Sequence, residues 1–455
     1  MASIAPALVP PHVAAPERRL GRMAFVAAMV RNPLEVLPRA VYEEDFVVAG
    51  KAVRPRVWVT SPALVKSVLL DQKDKFRKLT QIRLLGPLLG KGLLTSEGAE
   101  WKWQRQAAAP MFRPQELAAF VPSFVRAAEG ALARWRVSAP GSIHAVDEDM
   151  TRVTFDVIAD TVLPSADERF AATVRDSIRS LQRFGGWDIL YAQMNLPTWL
   201  PRPGMLTARY AVTTLRKAVM KVAQERRGAK LGDDLLARLI AARDPETGRA
   251  MDDSQIVDNL LTFYLAGHET TAKALTWTLY LLARSPGWSA RLREEIAAVT
   301  GGGPVQAQHL DQLVLVQQVV KESMRLYPPV PIMSRQAVAG TMLGEHPVAA
   351  GTSVLMPIYA IHRHAARWER PDEFDPERFA PSREISMPRY QYMPFGAGPR
   401  ICIGMPFAMM ESTAILATLL AGARFEWAGQ EEPMPIARVT LMPKGGMPMK
   451  IGAMG

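Results

Sequence analysis

The sequence predicts a mainly α-helical protein with small peripheral β-sheets. Long apolar-periodic segments with capping and stop residues dominate the chain, and strand-like alternation is confined to two short patches. The composition agrees: 48% hydrophobic and 22% charged residues over a 455-residue chain describe a globular protein able to bury a large core. No linker-like tract divides it. The expected organisation is a loosely ordered N-terminal segment with a first helix over residues 1–40, then a single domain over 41–455.

Residues 1–18 contain Pro10, Pro11 and Pro16 and read as a loose tail. The stretch from Met23 to Val30, bounded by Arg22 and Arg31, falls far short of the roughly 20 apolar residues that cross a bilayer. No secretory signal precedes it. A soluble, cytoplasmic protein without a transmembrane span is therefore expected. Val47, Val53, Val57 and Val59 alternate through 45–60 and predict a hairpin around Gly50, and 336–359, broken by Gly340, Gly344 and Gly351, is a second strand-rich patch. Helices are predicted over 63–72, 115–136, 147–162, 207–227, 233–242, 254–283, 288–299, 317–327 and 405–420. Residues 184–203, with Trp187, Tyr191, Met194 and Trp199, read as a loop.

There are 55 basic and 44 acidic residues, a formal charge of +11. The basic residues are dispersed, with no Lys/Arg block interleaved with aromatics, which argues against nucleic acid. A solvated basic surface and a docking face for an acidic protein partner both remain open.

The helix predicted between Asp252 and Arg284 is about 45 Å long. Asp252, Asp253 and Ser254 offer capping chemistry, and Ser285-Pro286-Gly287 stops it. It is almost uniformly apolar from Leu260 to Ala266, the mark of a helix buried on all sides. Into that run come Gly267, His268, Glu269, Thr270 and Thr271. A buried carboxylate and hydroxyl are costly without partners. Two readings stay open: Thr270 bonds back to a carbonyl while Glu269 pairs with a distant cation, or the two relay protons to a ligand in a groove that Gly267 opens.

Cys402 is the only cysteine, so it forms neither an internal disulfide nor a cysteine-only metal cage. It lies in a turn with Gly396, Gly398 and Gly404, just before the helix predicted over 405–420. Glycine lets backbone approach a flat, bulky group, and a helix N-terminus favours thiolate. Axial ligation of a haem iron is the suggested role. Glu322 and Arg325, three apart on one helical face, and Arg378 in a proline-braced loop read as a structural ion-pair network locking the segment before the cysteine.

In this order, the segments 266–271, 322–325, 376–379 and 395–404 resemble the cytochrome P450 superfamily, in its soluble bacterial-type form. Phe395-Gly-x-Gly-x-Arg-x-Cys402-x-Gly404 is similar to the haem-binding signature, Ala266–Thr271 to the oxygen-activation motif, and Trp101-x-x-x-Arg105 to the C-helix motif. The resemblance implies a triangular fold around a long central I helix. It also implies a haem-thiolate monooxygenase that inserts one oxygen atom of O2 into a hydrophobic small molecule by hydroxylation or epoxidation. A non-catalytic haem sensor or electron carrier is the alternative.

By the same resemblance, the cofactor is heme b and its iron ligand is Cys402. Trp101, Arg105, Arg335 and Arg400 hold the propionates, while Ala266, Pro394, Phe395, Gly396, Gly404 and Ala408 border the haem. N–H groups of Ile403 and Gly404 point at the sulfur, and Glu269 and Thr270 deliver protons. Leu94, Phe263, Ala266, Val330, Ile332 and Val439 line the substrate pocket, roofed by a mobile 184–203 loop. Electrons come ultimately from NAD(P)H through an acidic ferredoxin or flavodoxin-like partner, since no fused redox module is expected; the protein is expected to be a monomer. His362-Arg363-His364, where relatives often carry His-Arg-Asp, reads as a surface loop pair without a third metal ligand.

Overall fold

The helix Asp253–Ala283 packs most extensively against four other helices: Val146–Val162, Met205–Arg227, Val314–Leu326 and Met405–Gly422. The computed structural model describes residues 8–453 apart from 19, 50–54, 140, 163–167, 184, 195, 198, 228–234 and 245. Asp252 starts the central helix by accepting a 2.8 Å bond from Gln255 N–H, and the Gln255 side chain reaches back to Asp252 N–H at 3.1 Å. That reciprocal capping box satisfies two otherwise orphaned donors. From Gln255 to Tyr264, and again from Thr271 to Leu282, every residue is buried.

Most predicted helices form close to their expected ends. The 63–72 segment divides into an α-helix, Pro62–Lys66, and a wider turn, Ser67–Asp71. Between Pro114 and Arg136 the chain makes two α-helical pieces around a 3₁₀ turn, with Pro122 at the start of the longer one. Helices at Leu79–Leu89, Gly98–Ala108 and Glu168–Arg183 have no counterpart among those predicted from periodicity.

The stretch expected to be a loop over 184–203 contains the helix Gly185–Met194. Its two leading glycines imitate a loop signal, yet Gly186 serves close packing: a Cβ there would come within 2.2 Å of the Val30 carbonyl oxygen. The N-terminal tail is a second correction. Leu8 O accepts from Phe374 N–H at 2.8 Å, Pro11 O from the Tyr327 hydroxyl at 2.7 Å, and the Tyr359 hydroxyl from Val13 N–H at 3.1 Å. Two hydroxyls of tyrosines buried in the core and one backbone N–H tie residues 8–13 down, a partnership that proline content does not reveal.

The sheets are small. Phe46–Ala49 pairs antiparallel with Arg56–Val59, as the hairpin expectation requires, although Gly50 lies outside the described residues. That hairpin continues through Ser353–Met356 and Met333–Ala337 to Phe76–Arg77 in a five-stranded sheet. The two-stranded turn of Pro435–Ala437 and Leu441–Pro443 stands apart. Among the described residues one helix, Met405–Gly422, is long and apolar enough to cross a membrane. Its residues from Glu411 to Leu420 are buried in the protein.

The predicted Glu322–Arg325 pair forms and is completely buried, with N···O distances of 2.6 and 2.8 Å. Arg325 also donates to the carbonyls of His362, Pro371 and Glu373, Glu322 accepts from Asp375 N–H, and Arg378 Nε stands 3.6 Å from the Glu322 carboxylate. Removing one member of such a buried pair costs about 3–5 kcal/mol, because the other charge is left uncompensated.

His362 and His364 are both buried, which corrects the surface-loop expectation. His362 donates through Nδ1 to Arg325 O and accepts at Nε2 from Met393 N–H at 2.9 Å. Burial first, then the neighbouring Arg325, pushes its pKa down to about 3, so it bridges the two segments as a neutral ring. Among the described residues no cluster of His, Cys, Asp and Glu could hold a metal ion.

Glu411 is fully buried, and neither carboxyl oxygen makes a hydrogen bond of good geometry; the Thr271 hydroxyl nearby only partly offsets desolvation. Burial raises its pKa to about 8. Folding therefore holds a proton that the unfolded chain releases above its ordinary value. The stabilising contribution is complete below about pH 4.5 and fades as pH rises toward 8, at up to about 1.4 kcal/mol per unit. Glu411→Gln is expected to remove this loss: relative to wild type, its chemical-denaturation stability should improve between pH 5 and pH 9. Parallel stability curves would show that Glu411 is ionised in the fold.

Candidate haem and substrate cavity

Burial of the central helix is interrupted only where the Ala266–Thr271 motif lies. Leu265, Ala266, Gly267, Glu269 and Thr270 all border a cavity of about 2100 Å³. Gly267 has a packing role in addition to the expected opening: a Cβ there would meet Ile158 Cδ1 at 2.8 Å, so the glycine lets the Val146–Val162 helix approach. Thr270 Oγ1 donates to Ala266 O at 2.7 Å, the back-bonded arrangement left open from sequence, with its oxygen still at the cavity wall. Glu269 accepts a 2.6 Å bond from the Thr440 hydroxyl. His268 points elsewhere. Its Nδ1 lies 2.9 Å from Tyr264 O, its ring sits against Phe155 and Tyr264, and burial lowers its pKa.

Cys402 borders the same cavity. By surface area it is exposed, but the surface it shows belongs to the cavity, and protein surrounds it otherwise. Cys402 N–H donates to Phe395 O at 2.9 Å and closes the loop, in which Gly396 and Gly398 both take φ of +71°. At Gly398 a side chain would also strike the Leu69 carbonyl at 2.5 Å. Desolvation pushes the thiol above its ordinary pKa, while Gly404 N–H, the Arg105 cation and Met405 N–H pull it back. One expectation is thus corrected: the second N–H at the sulfur belongs to Met405 rather than Ile403. The N–H groups of the helix start do favour thiolate, as expected, but burial outweighs them. A bound metal cation would make the thiolate.

Four cationic side chains line one part of this cavity: Lys78, Arg105, Arg335 and Arg400. Arg105 donates to Ile401 O at 2.8 Å, Arg400 donates to Ser96 O at 2.9 Å, and the Arg400 guanidinium lies 3.9 Å over the Trp101 ring. Burial lowers Arg335 and Arg400 to about 10 and Lys78 to about 7; Arg335 and Arg400 reinforce the effect on Lys78, and Glu97 opposes it in all three. One carboxylate facing so many partly buried cations leaves positive charge for an anion to balance. A haem supplies two carboxylates, a metal for the single sulfur, and a flat apolar body for Phe395, Ala408 and Ala266. The donor set fits that group.

All the expected cofactor residues, Trp101, Arg105, Ala266, Arg335, Pro394, Phe395, Gly396, Arg400, Cys402, Gly404 and Ala408, border the cavity. So do Leu94, Phe263, Val330, Ile332 and Val439 from the expected substrate set. Of the expected roof, Tyr191, Met194 and Trp199 reach it, whereas Trp187 packs beside Ala28 and Met29 of the first helix. Sequence reasoning missed Lys78 and Thr440. Lys78 hides in the run Lys75-Phe76-Arg77-Lys78, which reads as solvated surface; its Nζ instead donates to Leu94 O at 2.7 Å. Thr440 is one of many threonines, and nothing local marks it.

The cytochrome P450 family model matches residues 45–449. Cyclooctatin synthase of Streptomyces melanosporofaciens is 31% identical over 426 residues, covering 93% of this chain and 90% of that protein. A cytokinin hydroxylase of Arabidopsis thaliana is 32% identical over 423 residues, covering 89% and 80% of the two chains. The crystal structure of the cytochrome P450DA heme domain superposes with a TM-score of 0.85 at 23% identity over 98% of this chain and 99% of that one. With the family match spanning most of the chain and relatives of this identity aligned along nearly all of it, the chain belongs to the cytochrome P450 family and is a haem-thiolate monooxygenase.

Proposed function

We propose that this monooxygenase hydroxylates or epoxidises a bulky hydrophobic molecule of terpenoid size, in a cavity bounded by Cys402 on one side and by Thr270 and Glu269 on the other. The observation that supports this most is that cavity itself, large and lined by Leu94, Phe263, Ala266, Val330, Ile332 and Val439. Among relatives, a cyclooctat-9-en-7-ol 5-monooxygenase is 32% identical over 402 residues, and an 11-oxo-beta-amyrin 30-oxidase is 29% identical over 457. Their names support a large alicyclic substrate here as well.

In this reading Cys402 ligates the iron, and Lys78, Trp101, Arg105, Arg335 and Arg400 hold the propionates through charge-assisted bonds. The haem, when bound, activates O2 with electrons from a redox partner. The chain's own part is to orient the substrate, exclude water and supply protons. Thr270 Oγ1 sits at the cavity wall, so it can accept from water while bonded to Ala266 O, and donate inward when that bond opens. Glu269, one residue before it, replenishes the proton through water. Glu322, Arg325 and Arg378 contribute only structure, and residues 41–455 act as one unit.

Electrons reach the haem from NAD(P)H through an acidic ferredoxin or flavodoxin-like protein, and the enzyme works as a cytoplasmic monomer. The net charge of +11 supports an acidic partner. So does exposed Arg113, next to Phe112, against which any side chain at Gly404 would pack.

Thr270→Ala is expected to lower product formation by about two orders of magnitude while oxygen consumption continues as peroxide; equal coupling in the variant would remove Thr270 from proton delivery. Raising ionic strength from 0.02 to 0.5 M should slow turnover steeply, because exposed charges are screened over about 8 Å already at 0.15 M. A salt-insensitive rate would rule out electrostatic docking.

A further inference from the structure

The turn 438–440 joins the strands Pro435–Ala437 and Leu441–Pro443 and is fastened from several sides. Arg438 N–H donates to Thr440 O at 2.9 Å and Leu441 N–H to Pro329 O at 3.0 Å. The Trp277 indole, on the central helix, donates to Leu441 O at 3.1 Å, and the Arg438 guanidinium donates to Arg31 O at 2.9 Å. Between these anchors Val439 faces the cavity with 42% of its surface accessible, while Thr440 is 2% exposed. Thr440 Oγ1 spends its only proton on Glu269 Oε1 at 2.6 Å. The residue that meets a cavity occupant and the residue that grips Glu269 are therefore neighbours on one clamped turn.

We infer that Thr440 is a positioning residue for Glu269, and that Val439 makes its grip respond to whatever fills the cavity. Thr440 keeps the Glu269 carboxylate turned toward the hairpin. An occupant pressing on Val439 displaces the adjoining hydroxyl and turns the Glu269 carboxylate toward the groove at Ala266 and Thr270. Only hydrogen bonds change, and the proton that moves comes from water. The proposal rests on the proton-delivery role proposed above for Glu269. Its consequence is that oxygen is spent productively only when substrate is present.

Thr440→Val keeps the shape and removes the donor, and Thr440→Ser restores it. The test uses holoenzyme with a plant-type ferredoxin and its NADP⁺ reductase, measuring oxygen consumption without added substrate. Thr440→Val is expected to raise it several-fold, Glu269→Gln to lower it, the double variant to match Glu269→Gln, and Thr440→Ser to match wild type. Independently of turnover, the carboxylate infrared band that Glu269→Gln abolishes should be displaced in Thr440→Val. An unmoved band and unchanged consumption in Thr440→Val, with Glu269→Gln still impaired, overturn the latch and leave the role of Glu269 standing. A rise that persists in the double variant also overturns it, since Thr440 would then act through another group. A Glu269→Gln enzyme identical to wild type refutes the role of Glu269 and the latch with it.

Discussion

A sulfur walled into a protein cavity stays a thiol until a cation reaches it, because desolvation penalises the anion. Cys402 is in that position: burial raises its pKa, and the N–H groups of Gly404 and Met405 with the Arg105 guanidinium offset only part of the effect. The cation wall shows the complementary deficit. Lys78, Arg335 and Arg400 are all weakened by burial, with Glu97 as the carboxylate that opposes it. One group that brings a metal to the sulfur and carboxylates to the cations relieves both costs, which is why haem binding and local stability are the same problem here.

The cysteine loop must hold its sulfur in place for this to work, and the structure shows how rigidity reaches it. Arg325, neutralised by Glu322, pins the carbonyls of His362, Pro371 and Glu373. His362 then spans from Arg325 O to Met393 N–H, and Met393 O in turn accepts from Gly396 N–H at 3.0 Å inside the loop. A chain of buried polar bonds thus runs from a helix ion pair to the glycine turn before Cys402. Each member is expensive if left unpaired, so the segment has few alternative arrangements. On the other side of the cavity the central helix is buried from Gln255 to Tyr264 and from Thr271 to Leu282, and between those stretches it opens at the acid–alcohol motif. Reactive groups are confined to one face by the burial of everything else.

How much of this was legible in the sequence followed from the range of the interactions. The cap at Asp252, the Glu322–Arg325 pair at i, i+3 and the glycine turn around Cys402 are local, and the sequence announced them, although the reciprocal bond from Gln255 was seen only in the structure. The helix Gly185–Met194 was not legible, because Gly186 answers to the carbonyl of Val30, far away in the chain. The buried His362 and His364, the tail fixed by Tyr327 and Tyr359, and Lys78 among the cations were hidden for the same reason: their partners lie across the fold. Thr440 illustrates it most clearly. Its bond to Glu269 joins residues 171 positions apart, and neither segment alone suggests the other.

The central claim is that Cys402 supplies a thiolate to haem iron. It is tested most directly by the carbon monoxide difference spectrum of the reduced protein, in wild type and in Cys402→Ser. Thiolate ligation predicts a strongly red-shifted Soret band in wild type that Cys402→Ser abolishes. An imidazole-type spectrum in the wild-type protein, or a red-shifted band that survives the substitution, would contradict the account.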